Sequence, residues 1–218
     1  MNLSKVTLPV YSRTEEIINA SSHGAGILLG IISFILCILK STEINALIGN
    51  IIFSVSAIIL YTCSTVYHSV RNERTKKIMR LIDHSSIFIL ITGTSTALSV
   101  ICVFPYSPIF ASVMGVISIT LSVIGTVLTV VDQEKYKKVQ QILYLVVGWV
   151  SALLVIPVYK YCENALELIA VVAVGGIVYT VGMVFYKIGK KKKYFHSIFH
   201  FFVLAGTILH FVAIYMAI

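Results

Sequence analysis

The chain has 218 residues, of which 58% are hydrophobic and only 12% charged, and its mean hydropathy is +0.95. A soluble domain of this size cannot bury that much apolar surface, so this composition excludes a water-soluble globular protein and predicts a chain solvated mainly by lipid. The net charge of +8 comes from basic residues scattered over several short segments, a pattern that gives no support to nucleic-acid binding.

The apolar runs predict seven membrane-spanning helices, because a hydrocarbon core about 30 Å thick needs about 20 apolar residues per helix. In chain order the runs cover residues 22–40, 44–68, 81–104, 107–131, 139–158, 164–187 and 194–218. The linkers are short and leave no room for a second domain. We therefore predict an all-α integral membrane protein, with a cytoplasmic N-terminal segment at 1–21 and a single seven-helix transmembrane domain at 22–218.

The distribution of basic residues predicts the orientation of these helices. Every lysine and arginine except Lys40 and Lys160 falls in the N-terminal segment or in three further inner segments. The positive-inside rule then places the N-terminus in the cytoplasm and the C-terminus outside. The first 22 residues lack a basic stretch followed by an apolar one, so no signal peptide is expected. The run Lys190–Lys193 is expected to anchor the inner side on anionic lipid headgroups.

With this orientation, three histidines fall at one depth near the cytoplasmic interface. His196 and His200 lie one turn apart on one face of the seventh span, and His68 ends the second. Ionisable side chains are costly within a bilayer, so their presence indicates a functional site. Three histidine ligands with one open position are typical of catalytic zinc. We predict that His68, His196 and His200 bind Zn²⁺.

Two further polar residues reach the same depth and suggest catalysis. Asp83, at the start of the third span, is placed to hold a water by hydrogen bond and to accept its proton. Ser64 lies one turn from His68 on the same face and would bond that water or a substrate carbonyl. The alternative for Ser64 is a hydrogen bond to a carbonyl of its own helix.

Other polar residues have more ordinary explanations. His84 points about 100° away from Asp83 around the helix, and His210 lies about 15 Å deeper than His200. Glu16, Asn19 and His23 share one face and are expected to form a supporting network, with Asn19 or Ser21 capping the helix, or else to belong to the active site.

The four cysteines and the glycines of the apolar runs bear on how the helices pack. None of the cysteines forms a C-x-x-C pair, and we expect buried thiols, with a disulfide between Cys102 and Cys162 as the alternative. Gly26-x3-Gly30 and the glycines of the sixth span would allow close helix contact. The alternative is that glycine is simply common in membrane helices.

The motifs in combination resemble the bacterial hemolysin III family, within the progestin and adiponectin receptor superfamily, from Glu16 to the C-terminus. They are Glu16-x2-Asn19-x3-His23, Ser64-x3-His68, Asp83-His84 leading into Gly93-Thr94, His196-x3-His200, and Leu204-Ala205-Gly206 to His210-Phe211. The chain departs from the family pattern at Ser95 and Ala97, where tyrosine and proline are usual. Phe199 replaces a frequent tryptophan.

The resemblance implies a seven-helix fold with zinc near the cytoplasmic face of a bacterial inner or plasma membrane. In adiponectin-receptor relatives the ligands match His68, His196 and His200, the aspartate that holds the water matches Asp83, and the serine of the S-x3-H motif matches Ser64. Those relatives are linked to ceramide hydrolysis. Bacterial members are described as hemolysin-like or cytolytic and are connected with membrane-lipid homeostasis.

Three functions are consistent with these features. The leading hypothesis is a zinc-dependent intramembrane hydrolase of a lipid amide or ester, ceramidase-like, which takes a membrane lipid sideways from the inner leaflet. The second is a membrane-disrupting or channel-like protein, although no ring of like charges and no polar stripe through a span supports a pore. The third is a lipid sensor or receptor in which zinc is structural.

Overall fold

The computed structural model describes residues 3–162, 164–189 and 192–218, so Lys190 and Lys191 of the predicted lysine anchor lie outside the described residues. These residues contain seven α-helices and no strand. The helices are α1 (Arg13–Lys40), α2 (Ile44–Ser69), α3 (Glu73–Leu98), α4 (Pro108–Val150), α5 (Val155–Tyr161), α6 (Ala165–Ile188) and α7 (Phe195–Ala217). The predicted class, an all-α membrane bundle, is confirmed.

One stretch, Pro108–Tyr161, is far too long for a single crossing. Six helical stretches of the described chain are long and apolar enough to span a membrane, and this one has 54 residues. Its backbone leaves helical geometry at Asp132, with φ −159° and ψ 87°. Gln140 Nε2 donates to Thr129 Oγ1 at 2.6 Å, whereas 11 residues of straight helix would separate them by about 16 Å. The chain therefore folds back at Asp132, and the fourth and fifth predicted spans form the two arms. That each arm crosses the bilayer stays a prediction.

Helix α1 begins at Arg13, nine residues before the start of the first predicted span. Ser12 accepts a hydrogen bond from the Glu15 backbone, and the Glu15 carboxylate accepts one from the Ser12 backbone at 2.9 Å. This reciprocal pair is a capping box, which sets the helix start independently of hydropathy. The prediction that Asn19 or Ser21 caps the helix is wrong, because both residues lie inside α1.

Helix α3 likewise starts before its apolar part. Asn72 accepts a hydrogen bond from the Thr75 backbone at 3.1 Å, so the helix begins at Glu73 rather than near residue 81. Both α1 and α3 thus carry a polar first turn or two ahead of their apolar length. Two polar residues of these turns, Glu16 and Lys76, contact each other, and Glu16 also contacts His68.

Close packing at glycines draws the helices together. A Cβ on Gly26 would overlap the ring of Tyr61 in α2, and one on Gly175 in α6 would overlap the ring of His210 in α7. These glycines permit close contact between α1 and α2 and between α6 and α7. Helix α3 is the most enclosed, with 67% of its apolar window buried against 17% for α6, so α3 is central and α6 peripheral.

All four cysteines are free thiols, as expected. Cys102 follows α3 within the π-helical turn Ser99–Val103, and Cys162 follows α5. The two thiols lie close to each other, at the end of the bundle opposite His68. The alternative of a Cys102–Cys162 disulfide is therefore not realised.

Candidate metal centre

Three buried histidines from α2 and α7 converge on one point. One ring nitrogen of each of His68, His196 and His200 lies within 4.8 Å of the others, and the three residues are at most 8% exposed. His68 stands in the last turn of α2, and the other two stand one turn apart at the start of α7. Among the described residues, no other histidine, cysteine or carboxylate belongs to this group.

The nitrogen atoms fit a bound cation. The Nε2 atoms of His196 and His200 are 3.2 Å apart, and Nε2 of His68 is buried with no hydrogen-bond partner. Zinc binds imidazole at about 2.0–2.1 Å in tetrahedral geometry, which separates ligand nitrogens by about 3.4 Å. A cation among the three rings would therefore satisfy all three nitrogens. Imidazole also suits copper, iron and nickel, so the donors alone do not select zinc.

The opposite nitrogens of two of these rings contact residues of α1. His68 Nδ1 lies 2.6 Å from Glu16 Oε2, and His200 Nδ1 lies 3.2 Å from the Asn19 carbonyl oxygen. A carboxylate or carbonyl at Nδ1 fixes the tautomer that leaves Nε2 free to bind a metal. We call His68, His196 and His200 the metal group. Glu16 and Asn19 lie beside it and orient two of its rings.

The third residue of that α1 face contacts the group through its ring. His23 stacks on His200 with ring centroids 3.7 Å apart and an interplanar angle of 21°. Both His23 nitrogens are buried without a hydrogen-bond partner. His23 therefore lies directly behind His200, but it is not a member of the three-nitrogen group.

Sequence reasoning missed two serines that complete this shell. Ser197 Oγ donates to Asn19 Oδ1 at 2.6 Å, which connects α1 to α7 beside His196. Ser22 Oγ lies 3.4 Å from His200 Nδ1. Their positions supplied a signal, since Ser197 lies inside the His196-x3-His200 motif and Ser22 lies one turn after Asn19.

Asp83 and Ser64 lie next to His68 and pair with each other. The Ser64 hydroxyl is within hydrogen-bonding reach of the Asp83 carboxylate, and His68 is close enough to act on that carboxylate electrostatically. Ser64 is buried and Asp83 half-buried. Ser64 thus lies beside Asp83 in this structure, and its predicted contact with a water or a substrate carbonyl stays a prediction.

The remaining histidines on α3 and α7 lie outside the group. The ring of His84 faces Tyr186 at 6.2 Å, and His210 Nε2 lies 3.2 Å from the Val172 carbonyl oxygen in α6. The structure places both apart from the three-nitrogen group, in line with the ordinary explanations given for them.

Charge around the site is compensated by neighbouring groups. Glu16 contacts His68 with one oxygen and Lys76 Nζ with the other, at 2.5 Å. Arg80, only 5% exposed, lies 3.7 Å from Glu134 and donates to the Thr7 carbonyl. Buried charges require partners of this kind. The charged groups near the site therefore lie on the side where the residues before α1 pass.

The apolar helices and the three buried histidines place the protein in a class: multi-pass membrane proteins with a candidate metal centre. Residues 11–211 match the family described as Haemolysin-III related. The chain belongs to this family, which is part of the progestin and adiponectin receptor superfamily, and it is a multi-pass bacterial membrane protein.

Individual relatives agree with the family assignment. The chain is 34% identical over 208 residues to the Hemolysin-3 homolog of Bacillus subtilis (strain 168), covering 91% of this chain and 92% of the relative. It is 30% identical over 200 residues to Hemolysin-3 of Bacillus cereus, covering 90% and 89%. The human Monocyte to macrophage differentiation factor is 33% identical over 91 residues, 42% of this chain and 36% of that protein.

Proposed function

We propose that this protein is a zinc-dependent hydrolase that cleaves an amide or ester bond of a membrane lipid. The observation that carries the proposal is the group of three histidine nitrogens without a fourth protein ligand among the described residues. Catalytic zinc sites keep one position open, whereas structural sites are closed by four protein ligands. The arrangement therefore favours catalysis over a sensor with structural zinc.

Zinc bound to these rings would supply a Lewis acid for the substrate carbonyl and would lower the pKa of a water molecule towards neutrality. The protein's residues perform the remaining tasks. Asp83 accepts the proton of the attacking water and passes it to the leaving group. Ser64 holds the Asp83 carboxylate in place, and Glu16 and Asn19 hold the rings of His68 and His200.

An apolar cavity that reaches Phe199, a neighbour of His196 and His200, supports a lipid substrate. It has a volume of about 170 Å³ and is lined mainly by α3, the second arm of α4, α5, α6 and α7, with Leu60 from α2. Phe199 lines it and also packs against His196 and His200, with ring centroids 5.7 and 6.0 Å away. A hydrocarbon chain in the cavity would bring its polar end to the metal group around Phe199.

Metal analysis of the purified protein tests the proposed site. We expect about one zinc per chain in the wild type and less than a tenth of that after His68, His196 and His200 are all replaced by alanine. His210→Ala is the matched control, because it removes a buried histidine of the same helix outside the group. Zinc that persists in the triple variant, or is absent from the wild type, would refute the site.

Activity requires a separate measurement. Lipid profiles of cells with and without the protein should show an accumulated acyl amide or ester in the deletion strain, and Asp83→Ala should reproduce the deletion. Because Asp83 is not a member of the nitrogen group, Asp83→Ala should keep its zinc. A lipid profile unchanged by deletion would contradict the hydrolase.

The names of the relatives favour a second function, membrane lysis, since two of them are called Hemolysin-3 or its homolog. Dye release from liposomes distinguishes the two functions. Lysis that is equally strong in wild type and Asp83→Ala would favour a cytolytic protein. No release from either protein would favour the hydrolase.

A further inference from the structure

The residues before α1 cross the end of the bundle that carries the histidines. We call residues 3–12 the strap. Lys5 Nζ contacts Asp132 Oδ2 at 2.8 Å, and Thr7 Oγ1 donates to Glu134 Oε1 at 2.6 Å, so the strap is joined to the turn between the arms of α4. Arg80 of α3 donates a hydrogen bond to the Thr7 carbonyl oxygen.

The strap is also held at Val6 and at its C-terminal end, Ser12. Val6 is 5% exposed although it lies outside every long helix. At the C-terminal end, Ser12 is fixed in the capping box with Glu15. Because Val6 and Ser12 are both held, Tyr11, the residue immediately before Ser12, has a defined position.

Tyr11 lies against the metal group. Its ring stacks on His196, with centroids 4.9 Å apart and an interplanar angle of 16°, and meets His68 at 5.8 Å and 49°. One aromatic side chain of the strap therefore contacts two of the three predicted ligands.

The two histidines of α7 are each stacked by a ring from a different element, the strap or α1. His200 has the ring of His23 on its face, and His196 has the ring of Tyr11. An imidazole ligand can rotate about its side-chain bonds unless packing or a hydrogen bond stops it, and metal affinity depends on that restraint. For His196, the stack with Tyr11 supplies such a restraint on the strap side.

We propose that Tyr11 is a positioning residue of the metal centre: its ring holds the His196 imidazole in the metal-binding orientation and covers the centre against exchange with water. The proposal rests on the metal site of the proposed function. The ring, rather than the hydroxyl, performs this task, because the stacked contact is made by the ring face.

Metal release to an excess chelator tests this proposal on the purified, zinc-loaded protein. Removal of a residue that orients a ligand typically weakens metal binding by about 10–100-fold. We expect Tyr11→Ala to release zinc at least about tenfold faster than the wild type, and Tyr11→Phe to stay within about twofold. The matched control is Tyr106→Ala, which removes a tyrosine stacked on Tyr161 beyond the far end of α3.

The absorption spectrum of cobalt-loaded protein gives a second readout, which a general loss of stability would not reproduce. Tyr11→Ala should change the band positions through altered His196 geometry, whereas Tyr11→Phe and Tyr106→Ala should match the wild type. Wild-type release and spectrum in Tyr11→Ala, or Tyr11→Phe behaving like Tyr11→Ala, would overturn the proposal. A wild-type protein without metal would instead refute the metal site itself.

Discussion

Glu15 joins the first helix to the last at the level of single atoms. One carboxylate oxygen closes the capping box with Ser12, and the other accepts a hydrogen bond from the Tyr194 backbone at 2.8 Å. Tyr194 adopts the left-handed conformation, with φ 64°, which costs about 1–2 kcal/mol for a residue with a side chain. The contact with Glu15 offsets that cost and fixes the start of α7, two residues before His196.

Replacing Glu15 by alanine should therefore affect both helices. Loss of the cap and an unpaired Tyr194 N–H should lower the free energy of unfolding by about 2 kcal/mol. Unfolding in detergent measures the stability. Glu43→Ala is the matched control, since Glu43 precedes α2 without making a side-chain cap. Equal stability of the two variants would contradict this role for Glu15.

Residue spacing predicted the ligand group but not its surroundings. His196-x3-His200 shares a face in any helix, and His68 reaches the same depth once orientation is assigned, so periodicity sufficed. The stack of Tyr11 on His196 depends on the path of the strap, which is set by contacts with Asp132 and Glu134 over 120 residues away. No local pattern encodes a contact of that kind.

At the scale of elements, Asp132 divides the longest helical stretch. Its Oδ1 accepts a hydrogen bond from the Lys135 backbone at 3.1 Å, which caps the second arm, and its Oδ2 contacts Lys5. The same residue thus starts a helix and holds the strap. The hydrogen bond from Gln140 to Thr129 holds the two arms together next to this turn.

Substitutions at Asp132 should separate these two roles. Asp132→Ala removes the cap and the ion pair and should lower the unfolding temperature, whereas Asp132→Asn keeps the cap and should lower it by less than half as much. Thermal unfolding in detergent micelles measures both. If the two variants were equally destabilised, the ion pair rather than the cap would be the stabilising contact.

The apolar runs located the helices well and their beginnings poorly. Hydropathy marks where a chain meets lipid, but a helix begins where its first N–H groups find a partner. For α1 that partner is Ser12 and for α3 it is Asn72, each ahead of the apolar run. The Ser12-x-x-Glu15 pattern was readable in the sequence as a capping box and gives the better boundary.

At the scale of the whole molecule, basic residues are concentrated at the end that carries the metal group. Lys5, Lys76 and Arg80 all lie there, and Lys40 contacts Tyr215 at the opposite end. This asymmetry agrees with the predicted orientation, N-terminus inside and C-terminus outside. The metal group would then face the cytoplasm.

Cysteine labelling in intact cells tests that orientation. In a background in which the four native cysteines are replaced, Lys40→Cys should react with a membrane-impermeant thiol reagent. Lys138→Cys, in the opposite segment, should react only after the membrane is permeabilised. The reverse pattern would place the metal group outside and would invert the predicted topology.

The joining of Glu15 to Tyr194 has a consequence for biosynthesis. The two residues are 179 positions apart, so a ribosome adding about 5–20 residues per second reaches the second roughly ten to forty seconds after the first. During that interval the first helices are in the membrane before α7 has been synthesised. A nascent chain released before residue 196 lacks two of the three imidazoles. The group of three histidine nitrogens is therefore complete only after His200 has been synthesised.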